Sequence, residues 1–210
     1  MKLAILGATG ATGKLLVDQA LAAGHTVTAV ARNPADLTTK HAALMVVKAE
    51  ATQQADMERV LAGHDAVLSA LGSRTLKKNT VRSDAARAVV GAMQKLGLKR
   101  LVWLSAAGVG DSADQARRSN FVFGRIIMPL VLSKVYADAA IADRHVIDSG
   151  LDAVVVRPVG LNDKGHAPRI DVVPLAEKIP RSYISRADVA KFMLEQASSD
   201  AYLRQQPVIC

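Results

Sequence analysis

The chain contains one cysteine, Cys210, so neither an internal disulfide framework nor a thiol-built zinc cluster is available to it. That scarcity fits a reducing compartment, and a cytoplasmic protein is expected. Aromatic residues make up only 3%, too few for a platform on which nucleic-acid bases would stack. Long apolar runs are missing too. The longest, Phe121 to Ser133, is interrupted by Arg125 and Pro129 and falls short of the roughly 18 residues a membrane span requires. No membrane association is expected. The amino terminus runs straight into a strand pattern, without the basic segment, apolar core and cleavage site of a secretion signal. There are no internal repeats and no low-complexity tracts.

What is present is a core-forming composition. Half of the 210 residues are apolar, mostly Ala, Val and Leu, which suits parallel strands covered by close-packed helices. One domain spanning 1–210 is expected, with a nucleotide-binding core over about 1–157 and a substrate-side extension over 158–210. The formal net charge is +8, but the basic residues stand in scattered pairs (Lys77-Lys78, Lys99-Arg100, Arg117-Arg118) rather than in one run. Attraction of an anionic cofactor or substrate explains the charge more simply than nucleic-acid binding does.

The informative stretch is Lys2-Leu-Ala-Ile-Leu-Gly7-Ala-Thr9-Gly10-Ala11-Thr12-Gly13. A non-alternating apolar run reads as a buried parallel strand, and three glycines spaced by two residues then lead into a helical pattern from Ala11 to about Ala23, closed by Gly24. A second apolar run, Val27 to Val30, completes a strand–helix–strand unit. In such a unit Gly7 makes the turn, Gly10 lets backbone N–H groups approach a diphosphate, and Gly13 lets the helix pack closely on the strand. The helix N-terminus supplies free N–H donors and partial positive charge. The spacing is a variant of the commonest dinucleotide fingerprint, and a tight turn without a ligand is the plain alternative.

The second strand ends in Ala31-Arg32-Asn33-Pro34, without the acidic residue that would hold ribose hydroxyls. A guanidinium there can pair with a ribose 2′-phosphate, so NADP(H) is expected over NAD(H). The alternative is a solvated charge in a turn.

A third strand, Ala43–Val47, leads to Glu50 and Ala51 as adenine-side contacts. Thr52 is the expected N-cap of a helix over 53–61, and a fourth strand covers 65–69. It leads into Ala70-Leu71-Gly72-Ser73-Arg74, where small residues let the backbone lie against the cofactor and Arg74 meets either an anionic group or water.

A helix opened by Thr80 or Ser83 runs to about Leu96. The fifth strand ends in Ser105, whose hydroxyl is placed to hydrogen-bond a substrate carbonyl unless it merely ends the strand, and Ala106 follows in a small-residue loop beside the cofactor. Residues 111–133 form either an apolar pocket lid or buried helix, and 131–148 a further helix. A sixth strand, 151–156, is stopped by Arg157-Pro158, with the proline turning the chain over the pocket. Ser185-Arg-Ala-Asp188 is a capping box before a helix over 189–197; 169–173 and 208–209 are possible strands.

Gly7-Ala-Thr-Gly10-Ala-Thr-Gly13, Val30-Ala-Arg32-Asn-Pro34, Leu104-Ser105-Ala106, Ser149-Gly150-Leu-Asp-Ala-Val-Val-Val-Arg157-Pro158 and Ile184-Ser-Arg-Ala-Asp188-Val-Ala, in this order, resemble an atypical short-chain dehydrogenase. The resemblance is to the NAD(P)H-binding group that includes biliverdin-IXβ/flavin reductases and NmrA-like proteins, and it covers nearly the whole chain. It implies a Rossmann-type doubly wound α/β fold, NADPH across the strand ends, and reduction of a planar or carbonyl acceptor such as a flavin, quinone or tetrapyrrole. An NADP-binding regulator without turnover is the alternative.

The Tyr-x-x-x-Lys pair of commoner short-chain dehydrogenases is absent, because Tyr136, Tyr183 and Tyr202 are followed by Ala140, Ala187 and Gln206. Hydride transfer by positioning, with protons from solvent, is what the resemblance then implies. Val159 stands where the reductases tend to carry a histidine. A monomer or homodimer is expected, with helices 80–97 and 131–148 as the candidate contact surface.

Overall fold

The computed structural model describes residues 1–72, 75–120, 122–165 and 169–210, and Phe123 by its backbone alone. In chain order the first half comprises β1 (Lys2–Leu6), α1 (Ala11–Ala22), β2 (Thr26–Ala31), β3 (Leu44–Lys48), α2 (Gln54–Leu61), β4 (Ala66–Ser69) and α3 (Val81–Leu96). The second half adds β5 (Arg100–Leu104), α4 (Ala113–Ser119), α5 (Ser133–Ile147), β6 (Asp152–Pro158), β7 (Gly160–Asn162), β8 (Val172–Val173), β9 (Tyr183–Ser185), α6 (Arg186–Glu195) and β10 (Val208–Ile209).

Four of the five β1 residues are buried, as a strand covered on both faces requires. The strand pairs in parallel with β2 on one side and β4 on the other, and the main sheet runs β3-β2-β1-β4-β5-β6-β10-β8. The first six strands give the expected doubly wound Rossmann order, in which the direction of winding reverses between β1 and β4 and opens a crevice at the strands' carboxyl ends. β7 and β9 pair in parallel as a separate two-stranded ribbon.

Successive strand residues feed opposite cores, as the two-residue period of a strand dictates. Leu3 and Ile5 face Leu16, Val17 and Ala20 of α1 and Val189, Phe192 and Met193 of α6. Ala4 and Leu6 face Met57 and Leu61 of α2, Ala85, Val89 and Met93 of α3, and Ala142 and Val146 of α5. Each fully buried Leu or Met contributes about 1.5–3 kcal/mol relative to exposure. α1 and α3 end where expected, before Gly24 and Gly97.

Four local expectations are corrected. Thr52 does not cap α2: the N-cap is Gln53, without a side-chain bond. Asp56 instead reaches back to accept from the Glu50 N–H at 2.8 Å, and the Thr52 hydroxyl donates to Glu50 Oε1; a carboxylate is the stronger acceptor. Thr80 opens α3 as its N-cap, as expected, but without a side-chain cap bond: its hydroxyl donates to Asp84 at 2.7 Å, while Asp138 of α5 accepts from the N–H groups of Arg82 (2.9 Å) and Ser83 (3.2 Å).

The sixth strand does end at Pro158, two residues later than expected. The ladder to β5 ends at Val156, but Arg157 and Pro158 continue beside β10, and the Pro158 carbonyl accepts from Ala107. Lacking an N–H, proline fits this last position. The helix expected over 131–148 is α5, entered from a widely wound π-helical stretch, Phe123–Leu132, which holds Pro129. A proline inside a helix removes one hydrogen bond and favours such a wider turn. Of the possible strand over 169–173 only Val172–Val173 forms. The Ser185–Asp188 capping box is present, with Ser185 Oγ accepting from the Asp188 N–H at 3.0 Å.

Candidate functional site

The crevice holds a cleft of about 800 Å³. Its base is the turn between β1 and α1. Gly7 adopts φ +72°, and a Cβ on it would stand 2.8 Å from the Ala70 carbonyl oxygen; a Cβ on Gly13 would stand 2.1 Å from the Gly7 oxygen. These two glycines let α1 seat directly on the turn beside β4. Gly10 N–H donates to Gly7 O at 2.9 Å and closes the turn.

Helix α1 then enters the cleft bare. Its N-cap, Gly10, offers no side-chain acceptor and its first turn contains no acidic residue. By contrast, a carboxylate meets the start of α3 and a hydroxyl that of α6. Free N–H donors and the positive end of the helix dipole therefore face the crevice, an arrangement suited to a phosphate group.

Around this base the structure brings together most of the expected residues. Thr9, Gly10, Ala11, Thr12, Arg32, Glu50, Ala51, Leu71, Gly72, Ser105, Ala106 and Pro158 line the cleft with Gly7. Gly13 lies beneath it, between helix and turn. Arg74 lies outside the described residues. The lining also includes Asn33, Asp36, Thr52, Val81, Arg82, Ala85, Leu161 and Arg186, which the sequence reading does not select. Spacing alone could have offered Val81 and Ala85, since positions i and i+4 at a helix start share a face. Arg32 is exposed and shares its end of the cleft with two acids, Asp36 and Glu50; Asn33 Nδ2 donates to Asp36 at 2.8 Å.

Ser105 is 4% exposed, and its hydroxyl is not the free donor expected: it donates to Asp143 Oδ2 at 2.8 Å. Arg157, also fully buried, reaches the same oxygen at 3.3 Å and pairs with Asp111 and Gln206. Burial pushes the Asp143 carboxyl above its usual range, against the opposing pull of Arg157, Ser105 and Arg82. The serine hydroxyl is thus one arm of a buried polar cluster tying β5, α5 and β6 together beneath the cleft. The Tyr136 phenol donates to the Ala107 carbonyl at 3.2 Å, and burial raises its pKa, with Arg82 acting in the opposite direction.

A second cavity of about 710 Å³ lies beside the loop after β5, lined by Gly108, Arg117, Gly124, Met128, Pro129 and Tyr136 among others. The 111–133 segment forms its wall instead of packing wholly into the core: Leu130 is 78% exposed and Ile126, Val122 and Val131 are exposed too. No group of His, Cys, Asp and Glu able to hold a metal occurs among the described residues, nor any helix long and apolar enough to cross a membrane.

The sequence profile of the NAD(P)H-binding family matches residues 7–200. The chain belongs to that family. It is 26% identical to an uncharacterized chloroplastic protein of Arabidopsis thaliana, covering 98% of this chain and 73% of the other.

Solved structures share the fold. An oxidoreductase, ylbE, of Lactococcus lactis is 20% identical, with TM-score 0.81 over 100% of this chain and 90% of the other. A short-chain dehydrogenase/reductase of Veillonella parvula, in complex with NADP, is 15% identical, with TM-score 0.82 over 99% and 93%. ChuY of Escherichia coli O157:H7, an anaerobillin reductase, is 22% identical, with TM-score 0.79 over 100% and 96%. The chain thus has the architecture of NAD(P)-binding oxidoreductases, and its cleft fits the dinucleotide: a cradle that a Cβ would fill at Gly7 and Gly13, and a helix start without a capping side chain.

Proposed function

We propose that this protein is an NADPH-dependent reductase that delivers hydride to a planar or carbonyl acceptor of the flavin, quinone or tetrapyrrole kind. The observation that carries the reading is the bare start of α1 facing a cleft that continues to the ends of β4, β5 and β6. When bound, the reduced nicotinamide supplies the hydride.

The chain's own residues bind and orient. The amides at the start of α1, other than that of Gly10, which closes the turn, hold the diphosphate, whose charge the helix dipole favours. Arg32 pairs with the 2′-phosphate, which selects NADPH over NADH. Glu50 and Ala51 flank the adenine. Leu71, Gly72, Ala106 and Pro158 border the nicotinamide half. Ser105 contributes through position, its hydroxyl directed to Asp143. Positioning two reactants in a partly closed cleft accounts for most of the catalysis. The Tyr136 proton is directed at a backbone carbonyl and no lysine stands four residues on, so protons come from water. The shared fold of ChuY supports a tetrapyrrole-like acceptor within this class.

The test is an acceptor screen: NADPH and NADH oxidation followed by absorbance with FMN, a naphthoquinone and biliverdin in parallel. Turnover with one or more acceptors and a preference for NADPH is the expected result. Tight NADPH binding with a flat trace throughout would replace the enzyme by a cofactor-holding regulator. Absence of NADPH binding in calorimetry would refute both.

A further inference from the structure

Arg82 has no part in the site as drawn from sequence, yet its side chain lines the cleft. It sits in the first turn of α3, and its backbone N–H is held by Asp138 of α5. The side chain lines the cleft together with Gly72 and Ser105. Gly72 is its neighbour: a Cβ there would stand 3.9 Å from Arg82 Nη2, at ordinary contact distance. Arg82 Nε is buried with no hydrogen-bond partner, and no side chain among the described residues accepts from the guanidinium.

The charged and polar groups that face Arg82 are Asp143, Asp138 and Tyr136; none of them accepts a hydrogen bond from its guanidinium, although Asp143 Oδ1 is itself buried without a partner. Asp138 accepts from the N–H groups of Arg82 and Ser83 and from the Ser83 hydroxyl at 2.5 Å. Asp143 Oδ2 takes Ser105 and Arg157, and Tyr136 donates to Ala107. Even where burial lowers its pKa, an arginine stays charged at physiological pH. A charged planar fork with free N–H groups in a partly desolvated wall lacks one partner, a planar oxyanion, which completes it bidentately.

The anionic groups of the nucleotide have other seats: the diphosphate at the start of α1 and the 2′-phosphate at Arg32. Arg82 lines the same cleft beside Gly72 and Ser105, which follow β4 and β5. Resting on the reductase reading, we propose that Arg82 is an anion seat at the acceptor end of the cleft, and that the acceptor this protein reduces carries a carboxylate.

The experiment has a binding arm and a turnover arm, both on the full chain. NADP⁺-loaded protein is titrated with benzoate and with its neutral counterpart benzamide. Benzoate should bind more tightly to wild type than benzamide does. Arg82→Gln should weaken benzoate roughly tenfold or more while leaving benzamide and NADP⁺ affinity unchanged. Arg82→Lys, which keeps the charge but not the fork, should recover part of the loss. In the turnover arm, NADPH-dependent reduction of 4-carboxybenzaldehyde should show a KM rise in Arg82→Gln that 4-carbamoylbenzaldehyde does not share.

No preference for benzoate in wild type, or equal losses for the acid and amide probes, overturns the seat. A loss of NADP⁺ affinity in Arg82→Gln also overturns it and assigns the guanidinium to the nucleotide's phosphates. Arg82-dependent benzoate binding without reduction of either aldehyde, or of any acceptor in the screen, leaves the seat standing and removes the reductase. Reduction of both aldehydes with no dependence on Arg82 does the reverse.

Discussion

Gly10 and Gly13 belong to one turn but should fail in different ways when each is given a methyl group. In Gly13→Ala the new Cβ falls 2.1 Å from the Gly7 carbonyl oxygen, 2.9 Å from its carbon and 3.0 Å from the Ala8 Cα, whereas ordinary contact begins at 3.4 Å. All three neighbours are backbone, so no rotamer change can relieve the overlap. α1 must lift from the turn by about an ångström, which loosens the buried Leu16, Val17 and Ala20 against the sheet. Overpacking typically costs about 1–3 kcal/mol, and with rigid neighbours the upper end, about 3 kcal/mol, is expected.

In Gly10→Ala the Cβ meets one atom within 4 Å, the Gly7 oxygen at 3.2 Å, and φ of −74° is open to any residue. Stability should change by less than about 1 kcal/mol, since alanine also restricts the unfolded chain. The methyl group stands in the cleft, however, so NADPH affinity should fall by roughly tenfold or more.

Urea unfolding followed by the fluorescence of Trp103, the one tryptophan and 1% exposed, reads the first quantity, and calorimetric titration with NADPH the second. If Gly13→Ala loses no more stability than Gly10→Ala, the close approach of helix and turn is wrong. If Gly10→Ala binds NADPH as wild type does, those amides do not hold the diphosphate.

Arg32→Ala should weaken NADPH by about tenfold or more and leave NADH nearly unchanged, since a phosphate–guanidinium pair is all that distinguishes the two; equal losses in parallel titrations would remove Arg32 from the 2′-phosphate. Asp143 predicts a pH signature. Burial raises its pKa in the folded state, so the folded protein holds this proton to higher pH than the unfolded chain does. The stability this carboxyl contributes is complete below the ordinary carboxylate range and is lost as pH climbs through the window up to the raised value. Asp143→Asn abolishes that loss. Its stability relative to wild type should therefore improve as pH rises through the window and level off above it, whatever the absolute cost to Arg157, and urea midpoints across a pH series give the answer.

The β1–α1–β2 unit was legible because its determinants are local: a non-alternating apolar run, glycines at fixed spacing and a cap at Gly24. The sheet order followed from the crossovers between successive parallel strands, which leave few topologies. What stayed hidden depends on residues far apart in sequence. Nothing near Arg82 indicates that Asp138, on another helix, takes its N–H, or that the Ser105 hydroxyl turns toward Asp143. β7 and β9, three residues each, exist through mutual pairing and have no periodicity to read. Thr52 failed as a cap because its hydroxyl donates to Glu50 Oε1 and the helix begins one residue later, after Gln53, and Pro129 made a long helical pattern change its winding.

On the proposed reading the turn at Gly7–Gly13 meets the nucleotide through main-chain amides, and that has an evolutionary corollary. Amides are supplied by every residue except proline, so a surface made of them asks only for a fold and for a few positions with no side chain. Drift at the remaining positions leaves such a seat intact, which allows the walls near β4, β5 and β6 to be remodelled for new chemistry while the nucleotide half is inherited unaltered. Libraries that randomise the acceptor wall should accordingly yield many variants that still hold coenzyme.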